Sequence, residues 1–448
     1  MARLVIVSNR TPPPRERSPL AGGLAVGLRD AIAGRETLWF GWSGHTTGNA
    51  GTARPKLTRA GKLTFAQLDL GAAEFRGFYQ GFSNSMLWPL LHSMGGLAEF
   101  RREDLDAYMA VNRDFAQALA PLLRPDDLIW VHDYHLIPQG EALRAAGVGG
   151  RIGFFLHVPF PPPALFDTLP QGQRLLRSFG AYDVIGLQTQ ADVTNLNRAL
   201  SACGIEPRAA AFPIGIDPDD FAATAEQAAS GPEVRRLQES LAGRSLILGV
   251  DRLDYTKGLP QRLRAYAQLL KRFPEHRNRV TFLQVAPVSR GDVAQYRTLR
   301  RELDELAGRI NGEHAEFDWT PIRYITRTVP RPTLAGFHRV ASVGLVTPLR
   351  DGMNLVAKEY VAAQNADDPG ALVLSRFAGA SEAMEGALQV NPYDPDETAE
   401  ALHAALAMPR AERLERWRTL RAAVDRTTAK AWAESFIARL EAAIAEAA

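Results

Sequence analysis

The chain has 448 residues, of which 46% are hydrophobic, and its 52 basic side chains nearly balance 50 acidic ones. This length exceeds one ordinary core and predicts two domains of about 200 residues each. The small net charge, without basic runs that interleave with aromatic residues, argues against nucleic acid as a partner. Cys203 is the only cysteine, and no apolar run approaches a membrane span or a signal peptide. We therefore expect a cytoplasmic protein that has no disulfide and no membrane contact.

Short runs of β-forming residues alternate with helical patterns along the chain. In order, the predicted strands are Leu4–Val7, Leu38–Trp42, Leu128–His132, Ile152–His157, Val184–Gln188, Ala209–Ile214, Leu246–Val250, Val280–Ala286, Tyr324–Val329, Val343–Thr347, Ala371–Ser375 and Ala387–Val390. Helical patterns between them include Leu105–Leu119, Pro260–Lys271, Val293–Ala307 and Asn354–Ala363. This alternation predicts an α/β protein whose parallel sheets are covered on both faces.

A segment without strand signals divides this pattern into two blocks. Residues 217–244 are rich in alanine and polar side chains and have a helical pattern. We therefore expect a first domain over residues 1–235, a second over residues 236–426, and a terminal amphipathic helix over residues 427–448.

Polar and charged residues follow many of the predicted strands. These segments are Ser8–Arg10, His132–His135, His157, Asp251–Gly258, Ser289–Asp292 and Arg350–Gly352. Because ligands of open parallel sheets bind at the carboxyl ends of strands, two such sheets facing each other would form one deep ligand cleft.

The cations among these residues suggest phosphate binding. Arg252 and Lys257 flank a predicted helix start, and a guanidinium with an ammonium suits a diphosphate. The alternative is a surface salt bridge to Asp251 or Asp254. Arg10 and Arg290 suit a second phosphate, although Arg10 could simply cover a loop.

Other residues near predicted turns have two interpretations each. Gly22 and Gly23 would let a backbone approach a ligand, but no dinucleotide or P-loop motif is present. Asp351 precedes a helix whose first amide groups and Glu359 could meet a ligand, or this could be only a capped helix. His132, Asp133 and His135 alternate along a strand and leave no complete ligand set, so we expect no metal.

A series of ordered motifs resembles the trehalose-6-phosphate synthase family, a group of retaining GT-B-type glycosyltransferases. The motifs are VSNR at 7–10, AGGLAVG at 21–27, LWFGWSG at 38–44, FSNSMLWP at 82–89, IWVHDYHL at 129–136, RIGFFLHVPFPPP at 151–163, PIGID at 213–217, RLDYTKGLP at 252–260, APVSRGD at 286–292, AGRINGE at 307–313 and VTPLRDGMNLVAKEYVAAQ at 346–364. The resemblance implies two Rossmann-like domains that face each other across a cleft, with the terminal helix crossing back to the first.

The resemblance also implies roles for individual residues. The acceptor, glucose 6-phosphate, would contact Arg10, Tyr79, Trp88, Asp133 and Arg290. The nucleotide-activated glucose would contact Gly22, Gly23, His157, Arg252, Lys257, Val329, Asp351, Met353, Asn354, Leu355, Val356, Ala357, Lys358 and Glu359. The expected catalytic set is Arg252, Lys257, Asp351, Asp133 and His157.

The implied reaction moves glucose from a nucleoside diphosphate, with UDP expected, to glucose 6-phosphate and gives trehalose 6-phosphate without a cofactor or metal. Three alternatives stay open: transfer to glycerol 3-phosphate, a hydrolase, and a non-catalytic sensor of sugar phosphates. A hydrolase would require paired carboxylates, and Asp133 and Asp351 come from different domains. The oligomeric state is also open, with a homo-oligomer as one alternative.

Overall fold

The structure is a computed structural model that describes residues 2–13, 28, 34–48, 51, 54–288 and 294–443. The chain divides into a first unit, Met1–Ile214 with Ala429–Ala448, and a second unit, Gly215–Thr428. Residues 215–235, which we expected in the first domain, therefore belong to the second unit. The reason is packing, because the helices Pro218–Ala229 and Pro232–Leu241 contact the helix Arg331–Val340.

In the described part of the first unit, eight strands form one sheet in the order β3-β4-β2-β1-β5-β6-β7-β8. Neighbouring strands are parallel except for the antiparallel pair β3 and β4. The strands are β1 (Leu4–Arg10), β2 (Thr37–Thr47), β3 (Lys56–Ala60), β4 (Leu63–Gly71), β5 (Leu128–His132), β6 (Arg151–Phe155), β7 (Val184–Leu187) and β8 (Ala209–Ala211).

The hairpin of β3 and β4 is missing from the predicted strands. Strand β3 lies at the sheet edge and is mostly exposed, so its sequence has no continuous apolar run. Edge strands of this kind are short and charged, whereas central parallel strands are apolar throughout. For that reason the central strands could be predicted and this edge could not.

Helices connect the strands of the first unit. The α-helices are Ala72–Glu74, Trp88–Leu91, Arg102–Leu119, Gln139–Ala145, Pro163–Phe166, Gly172–Ser178 and Gln190–Ala202, and Phe75–Leu87 is a π-helix. Short 3₁₀ helices span Gly95–Leu97, Ala120–Leu122, Tyr134–Leu136 and Phe179–Ala181.

The described residues of the second unit form a parallel six-stranded sheet in the order β11-β10-β9-β12-β13-β14. Its strands are β9 (Ser245–Val250), β10 (Val280–Val285), β11 (Ile322–Ile325), β12 (Val343–Val346), β13 (Ala371–Ser375) and β14 (Leu388–Val390). The α-helices are Pro218–Ala229, Pro232–Leu241, Leu259–Arg272, Ala294–His314, Arg331–Val340, Leu355–Ala363, Pro395–Ala407 and Arg410–Arg426, with 3₁₀ helices at Tyr255–Lys257, Pro274–His276 and Gly379–Glu382. Every predicted strand therefore has a counterpart. Among the described helices, none combines the length and the apolar character needed to cross a bilayer.

The terminal helix Ala429–Ala442 packs on β6 and β7 of the first unit, as the family resemblance implied. Phe436 stacks on Trp130, with ring centroids 4.5 Å apart. Gly153 and Gly186 make room for it, because a Cβ at either position would lie 2.7 or 2.8 Å from the Phe436 ring. Because these two positions on β6 and β7 are glycines, the sheet surface has a groove that the terminal helix fills.

Candidate active site

Each sheet has one point where its strand order reverses. In the first unit β1 and β5 are neighbours, and the chain leads from them to opposite edges; in the second unit β9 and β12 have the same relation. Ligands of open α/β sheets bind beside such reversals, at the carboxyl ends of the strands. Residues that the sequence predicted for the site lie at these strand ends: Arg10 is the last residue of β1, and Asp133, Arg252, Lys257 and Asp351 lie in the segments after β5, β9 and β12.

Arg10 ends β1 and is exposed. Its guanidinium lies 5.7 Å from the centroid of the Trp42 ring, a distance that allows a cation–π contact. Trp42 in turn contacts Tyr79 at 5.9 Å, and Tyr79 stacks on His135 at 5.7 Å with 9° between the rings. An aromatic series therefore links the ends of β1 and β5.

Tyr79 lies in the π-helix Phe75–Leu87. The Asn84 side-chain amide donates to the Tyr79 carbonyl at 2.7 Å, which supports the widened turn. Such turns are rare and recur at functional sites. Trp88 follows directly but is only 5% exposed, and its ring packs 5.6 Å from that of Tyr134.

Asp133 follows β5 with a strained backbone, at φ 76° and ψ 166°. A non-glycine residue in this region costs on the order of 1–3 kcal/mol, and such strain clusters at ligand sites. Its carboxylate accepts a hydrogen bond from the backbone N–H of His157 at 3.2 Å. The ends of β5 and β6 are thereby joined, and two predicted site residues lie together.

The His157 ring belongs to a chain of hydrogen bonds. Gln188 Oε1 accepts from the Ile214 N–H at 3.0 Å, so its amide nitrogen is directed to His157 Nδ1, 3.5 Å away. The other nitrogen, Nε2, lies 3.1 Å from His132 Nδ1. Burial lowers the pKa of His157 to about 3, which keeps the ring neutral. Because both ring nitrogens are engaged, the imidazole is poorly suited to act as a general base.

In the second unit, Lys257 and Asp351 form an ion pair between the ends of β9 and β12. The Lys257 Nζ to Asp351 Oδ2 distance is 2.5 Å, and both side chains are largely buried, at 12% and 14% exposure. Asn354 also donates to Asp351 Oδ2 at 3.0 Å. The partner of Lys257 is therefore Asp351, and not the Asp251 or Asp254 considered from the sequence.

The turn that carries Lys257 is held on both sides. Asp254 caps the 3₁₀ helix Tyr255–Lys257 by accepting from the Thr256 N–H at 3.0 Å. The Thr256 carbonyl accepts from the Leu349 N–H at 2.8 Å. Arg252 is exposed two residues beyond the end of β9. Hydrogen bonds to Asp254 and Leu349 therefore hold the turn from which Lys257 extends.

Arg262 is a residue that the sequence analysis missed. It is 1% exposed and forms an ion pair with Asp251 at 2.8 Å. The same guanidinium donates to Thr347 and to Gln284, both at 3.0 Å. Burial raises the pKa of Asp251, while Arg262 and then Lys257 oppose that rise. One buried guanidinium therefore joins the ends of β9, β10 and β12 beneath Lys257.

The helix Leu355–Ala363 begins one residue later than predicted. Asn354 precedes the helix at φ 72°, and its side chain forms no hydrogen bond that would cap the first turn. Glu359 lies on this helix, and burial raises its pKa to about 7, opposed by Arg331. A carboxyl group with this pKa suits hydrogen bonding to a neutral ligand hydroxyl.

The remaining donor residues have different environments. Val329 and Met353 are buried, at 8% and 5% exposure. The Lys358 ammonium is directed to Thr427 Oγ1 at 2.9 Å, and burial lowers its pKa to about 7. Ala357 is fully buried, whereas Leu355 and Val356 are partly exposed. Gly22, Gly23 and Arg290 lie outside the described residues.

The chain belongs to glycosyltransferase family 20, whose model matches residues 3–442. It is 46% identical to the trehalose-6-phosphate synthase of Sinorhizobium fredii, and the match covers 99% of both chains.

Two solved structures are similar over nearly the whole chain. One is a Burkholderia xenovorans α,α-trehalose-phosphate synthase (UDP-forming) in complex with glucose-6-phosphate; it has 46% identity and a TM-score of 0.95, and the match covers 98% of this chain and 100% of that one. The other is an Escherichia coli trehalose-6-phosphate structure bound with UDP-2-fluoro glucose; it has 44% identity and a TM-score of 0.92, and the match covers 98% and 99%. These similarities confirm the predicted family and fold class.

Proposed function

We propose that this chain transfers glucose from UDP-glucose to glucose 6-phosphate with retention, giving α,α-trehalose 6-phosphate and UDP. The supporting observation is its similarity, over almost its full length, to one structure that holds glucose-6-phosphate and another that holds UDP-2-fluoro glucose. The reaction makes the chain a glycosyltransferase with two small-molecule substrates.

Most of the proposed acceptor residues belong to the first unit. Arg10, with Arg290 from the second half of the sequence, would bind the sugar phosphate through charge-assisted hydrogen bonds. Tyr79 and Trp88 would contact the sugar ring, and Asp133 would accept from its hydroxyl groups. The 9° stack of Tyr79 on His135 supports a fixed orientation for that phenol ring.

Most of the proposed donor residues belong to the second unit. Arg252 and Lys257 would bind the diphosphate, and the first turn of the helix Leu355–Ala363 would add amide donors and a positive dipole end. Glu359 would accept from the ribose, and Val329 would lie beside the base. Gly22 and Gly23 would approach the donor through backbone.

The proposed chemistry retains the anomeric configuration. The anomeric hydroxyl of the acceptor attacks C1 of the donor glucose on the face that the nucleoside diphosphate leaves. As the C1–oxygen bond to the phosphate breaks, that phosphate oxygen takes the acceptor proton. Arg252 and Lys257 stabilise the charge that develops on the diphosphate. No metal is needed in this scheme because two cations and a helix N-terminus supply the positive field.

The direct test is to incubate glucose 6-phosphate with UDP-, GDP- and ADP-glucose in turn and to identify both products. We expect trehalose 6-phosphate and UDP, with the highest rate from UDP-glucose. Glycerol 3-phosphate serves as the competing acceptor. Release of free glucose, or preferred glucosylation of glycerol 3-phosphate, would contradict the proposal.

Location and assembly remain predictions. A chain with one cysteine has no internal disulfide, which suits the reducing cytoplasm. A homo-oligomer is an open prediction that light scattering would test.

A further inference from the structure

The second unit has a group of metal-ligand side chains that lies apart from the proposed donor residues. Glu275 and His276 belong to the 3₁₀ helix Pro274–His276, which precedes the start of β10 at Val280. His403 lies near the end of the helix Pro395–Ala407. This group is therefore at the amino end of β10, whereas the proposed diphosphate site is at the carboxyl ends of the strands.

The three side chains are close enough to share one cation. His276 Nε2 lies 2.9 Å from His403 Nδ1, and His403 Nδ1 lies 3.6 Å from Glu275 Oε1. All of the possible ligand atoms lie within 4.8 Å of one another. Two ligands of a tetrahedral zinc ion, each about 2.0–2.1 Å from the metal, are about 3.4 Å apart. Small side-chain adjustments would bring the observed atoms to that spacing.

The surrounding contacts hold these ligands in place. The His403 ring stacks on Phe273, with centroids 4.0 Å apart and 8° between the planes. Arg272 adds ion pairs to Asp396 at 3.2 Å and to Glu400 at 2.6 Å, on the helix that carries His403. These contacts join Phe273, just before the 3₁₀ helix Pro274–His276, and the neighbouring Arg272 to the helix Pro395–Ala407.

We propose that Glu275, His276 and His403 form a binding site for a divalent cation of the zinc class. Two imidazoles and one carboxylate are a known zinc ligand set, and a water molecule would complete the tetrahedron. Bound metal would fasten the Pro274–His276 connection to the helix Pro395–Ala407. Because this cluster is remote from the strand ends that carry Lys257, the metal has no role in glucosyl transfer.

The test uses the untagged full-length chain after treatment with a chelator and desalting. Zn²⁺ is titrated calorimetrically into the unchanged chain and into His276→Gln, His403→Gln and His314→Gln. His314 is the matched control, because it lies 3.7 Å from the Glu313 carboxylate and, among the residues that the structure describes, no second imidazole joins that pair. We expect one Zn²⁺ per chain for the unchanged chain and the control, with at least tenfold weaker binding for the other two variants.

Thermal unfolding supplies a second measurement. At a Zn²⁺ concentration of about 100 times Kd, we expect Tm to rise by roughly 5 °C in the unchanged chain and in His314→Gln. His276→Gln and His403→Gln should lack this rise although they fold without metal. The proposal is overturned if Zn²⁺ does not bind the unchanged chain, or if these two variants bind it as tightly as the control. The neighbouring imidazoles would then form only a hydrogen bond.

Discussion

At the scale of single residues, Lys257 links the sequence pattern to the proposed chemistry most directly. It follows β9, lies beside the reversal of strand order, and pairs with Asp351 from the end of β12. An ammonium group has three donor hydrogens, so the bond to Asp351 leaves donors for a phosphate oxygen. Arg252, exposed just beyond the same strand, supplies the bidentate group.

Removing either cation should slow the chemical step. We expect Arg252→Ala and Lys257→Ala each to lower kcat by roughly 10²-fold, because each loses a contact to the developing diphosphate charge. Arg264→Ala is the matched control. Arg264 is an exposed residue of the helix Leu259–Arg272, and it forms an ion pair with Glu302 of the helix Ala294–His314. Steady-state kinetics measure the effect. Unchanged turnover in both active-site variants would remove these residues from the mechanism.

Glu359 should make stability depend on pH. Its folded pKa is raised to about 7, so between about pH 5 and 7 the folded chain holds a proton that the unfolded chain releases. Stability therefore falls as pH rises through this window, by roughly 1 kcal/mol per pH unit more than in Glu359→Gln. Lys358, whose pKa is lowered to about 7, stays mostly charged in both states over most of this window.

Urea unfolding at pH 5, 6 and 7 measures this difference. Glu434→Gln is the control, because Glu434 is 65% exposed on the terminal helix. If the free energy of unfolding changes with pH equally in Glu359→Gln and in the unchanged chain, the Glu359 carboxyl group does not cause the pH dependence.

Site residues differed in how far the sequence could predict them. Lys257 and Asp351 lie in the short segments that follow apolar strands, so their positions near the carboxyl ends of the sheet could be predicted. Arg262 could not, because it is one arginine among several in an amphipathic helix, and only the fold shows that it is buried against Asp251. The pair of His276 and His403 was equally hidden, since the two residues are 127 positions apart.

At the scale of elements, Arg262 couples three strands to the turn of Lys257. Arg262→Met should leave the buried Asp251 carboxylate unpaired and lower the free energy of unfolding by about 3–5 kcal/mol. The double variant Asp251→Asn with Arg262→Met should recover part of that stability, because neither position of the buried ion pair then has a charge. We expect kcat to be lowered in Arg262→Met and to remain lowered in the double variant, since Thr347 and Gln284 lose their hydrogen-bond donor in both.

Chemical unfolding and kcat, measured on the same preparations, separate these two effects. Full recovery of kcat in the double variant would show that Arg262 contributes to stability alone. If the double variant is as unstable as Arg262→Met, the hydrogen bonds of Arg262 to Thr347 and Gln284 are its main contribution to stability.

The terminal helix should contribute strongly to the stability of the first unit. Phe436 is fully buried against Trp130 and over Gly153. Phe436→Ala removes that ring and should cost about 3–5 kcal/mol in unfolding experiments. Phe317→Ala is the contrast, because Phe317 is fully exposed and its loss should change stability by less than about 0.5 kcal/mol. Similar stabilities for the two variants would contradict this packing.

Elements were predictable where burial imposes a pattern. Central strands such as Leu128–His132 and Ala371–Ser375 have the predicted bounds because both faces are buried and the apolar run is continuous. The hairpin with Lys56–Ala60 and the π-helix Phe75–Leu87 were missed, because one is an exposed edge and the other depends on contacts that local sequence does not encode. The boundary between the units lies at residue 215 and not at 235, because the helices Pro218–Ala229 and Pro232–Leu241 pack against Arg331–Val340, which local sequence does not show.

At the scale of the whole molecule, both units use the same arrangement. In each, the central strands are parallel and their order reverses once, and several of the selected residues lie at or just beyond the carboxyl ends of the strands at that reversal. Chain length predicted two domains, and alternation of strands and helices predicted their class. We propose that one reversal binds a sugar phosphate and the other a nucleoside diphosphate sugar.

The most direct measurement is a crystal structure of this chain with UDP and glucose 6-phosphate bound together. We predict oxygen atoms of the diphosphate at roughly 3 Å from Arg252 and Lys257, and the phosphate of the acceptor at a similar distance from Arg10. A diphosphate that contacts neither of the first two cations, or a sugar phosphate bound away from the end of β1, would contradict the account.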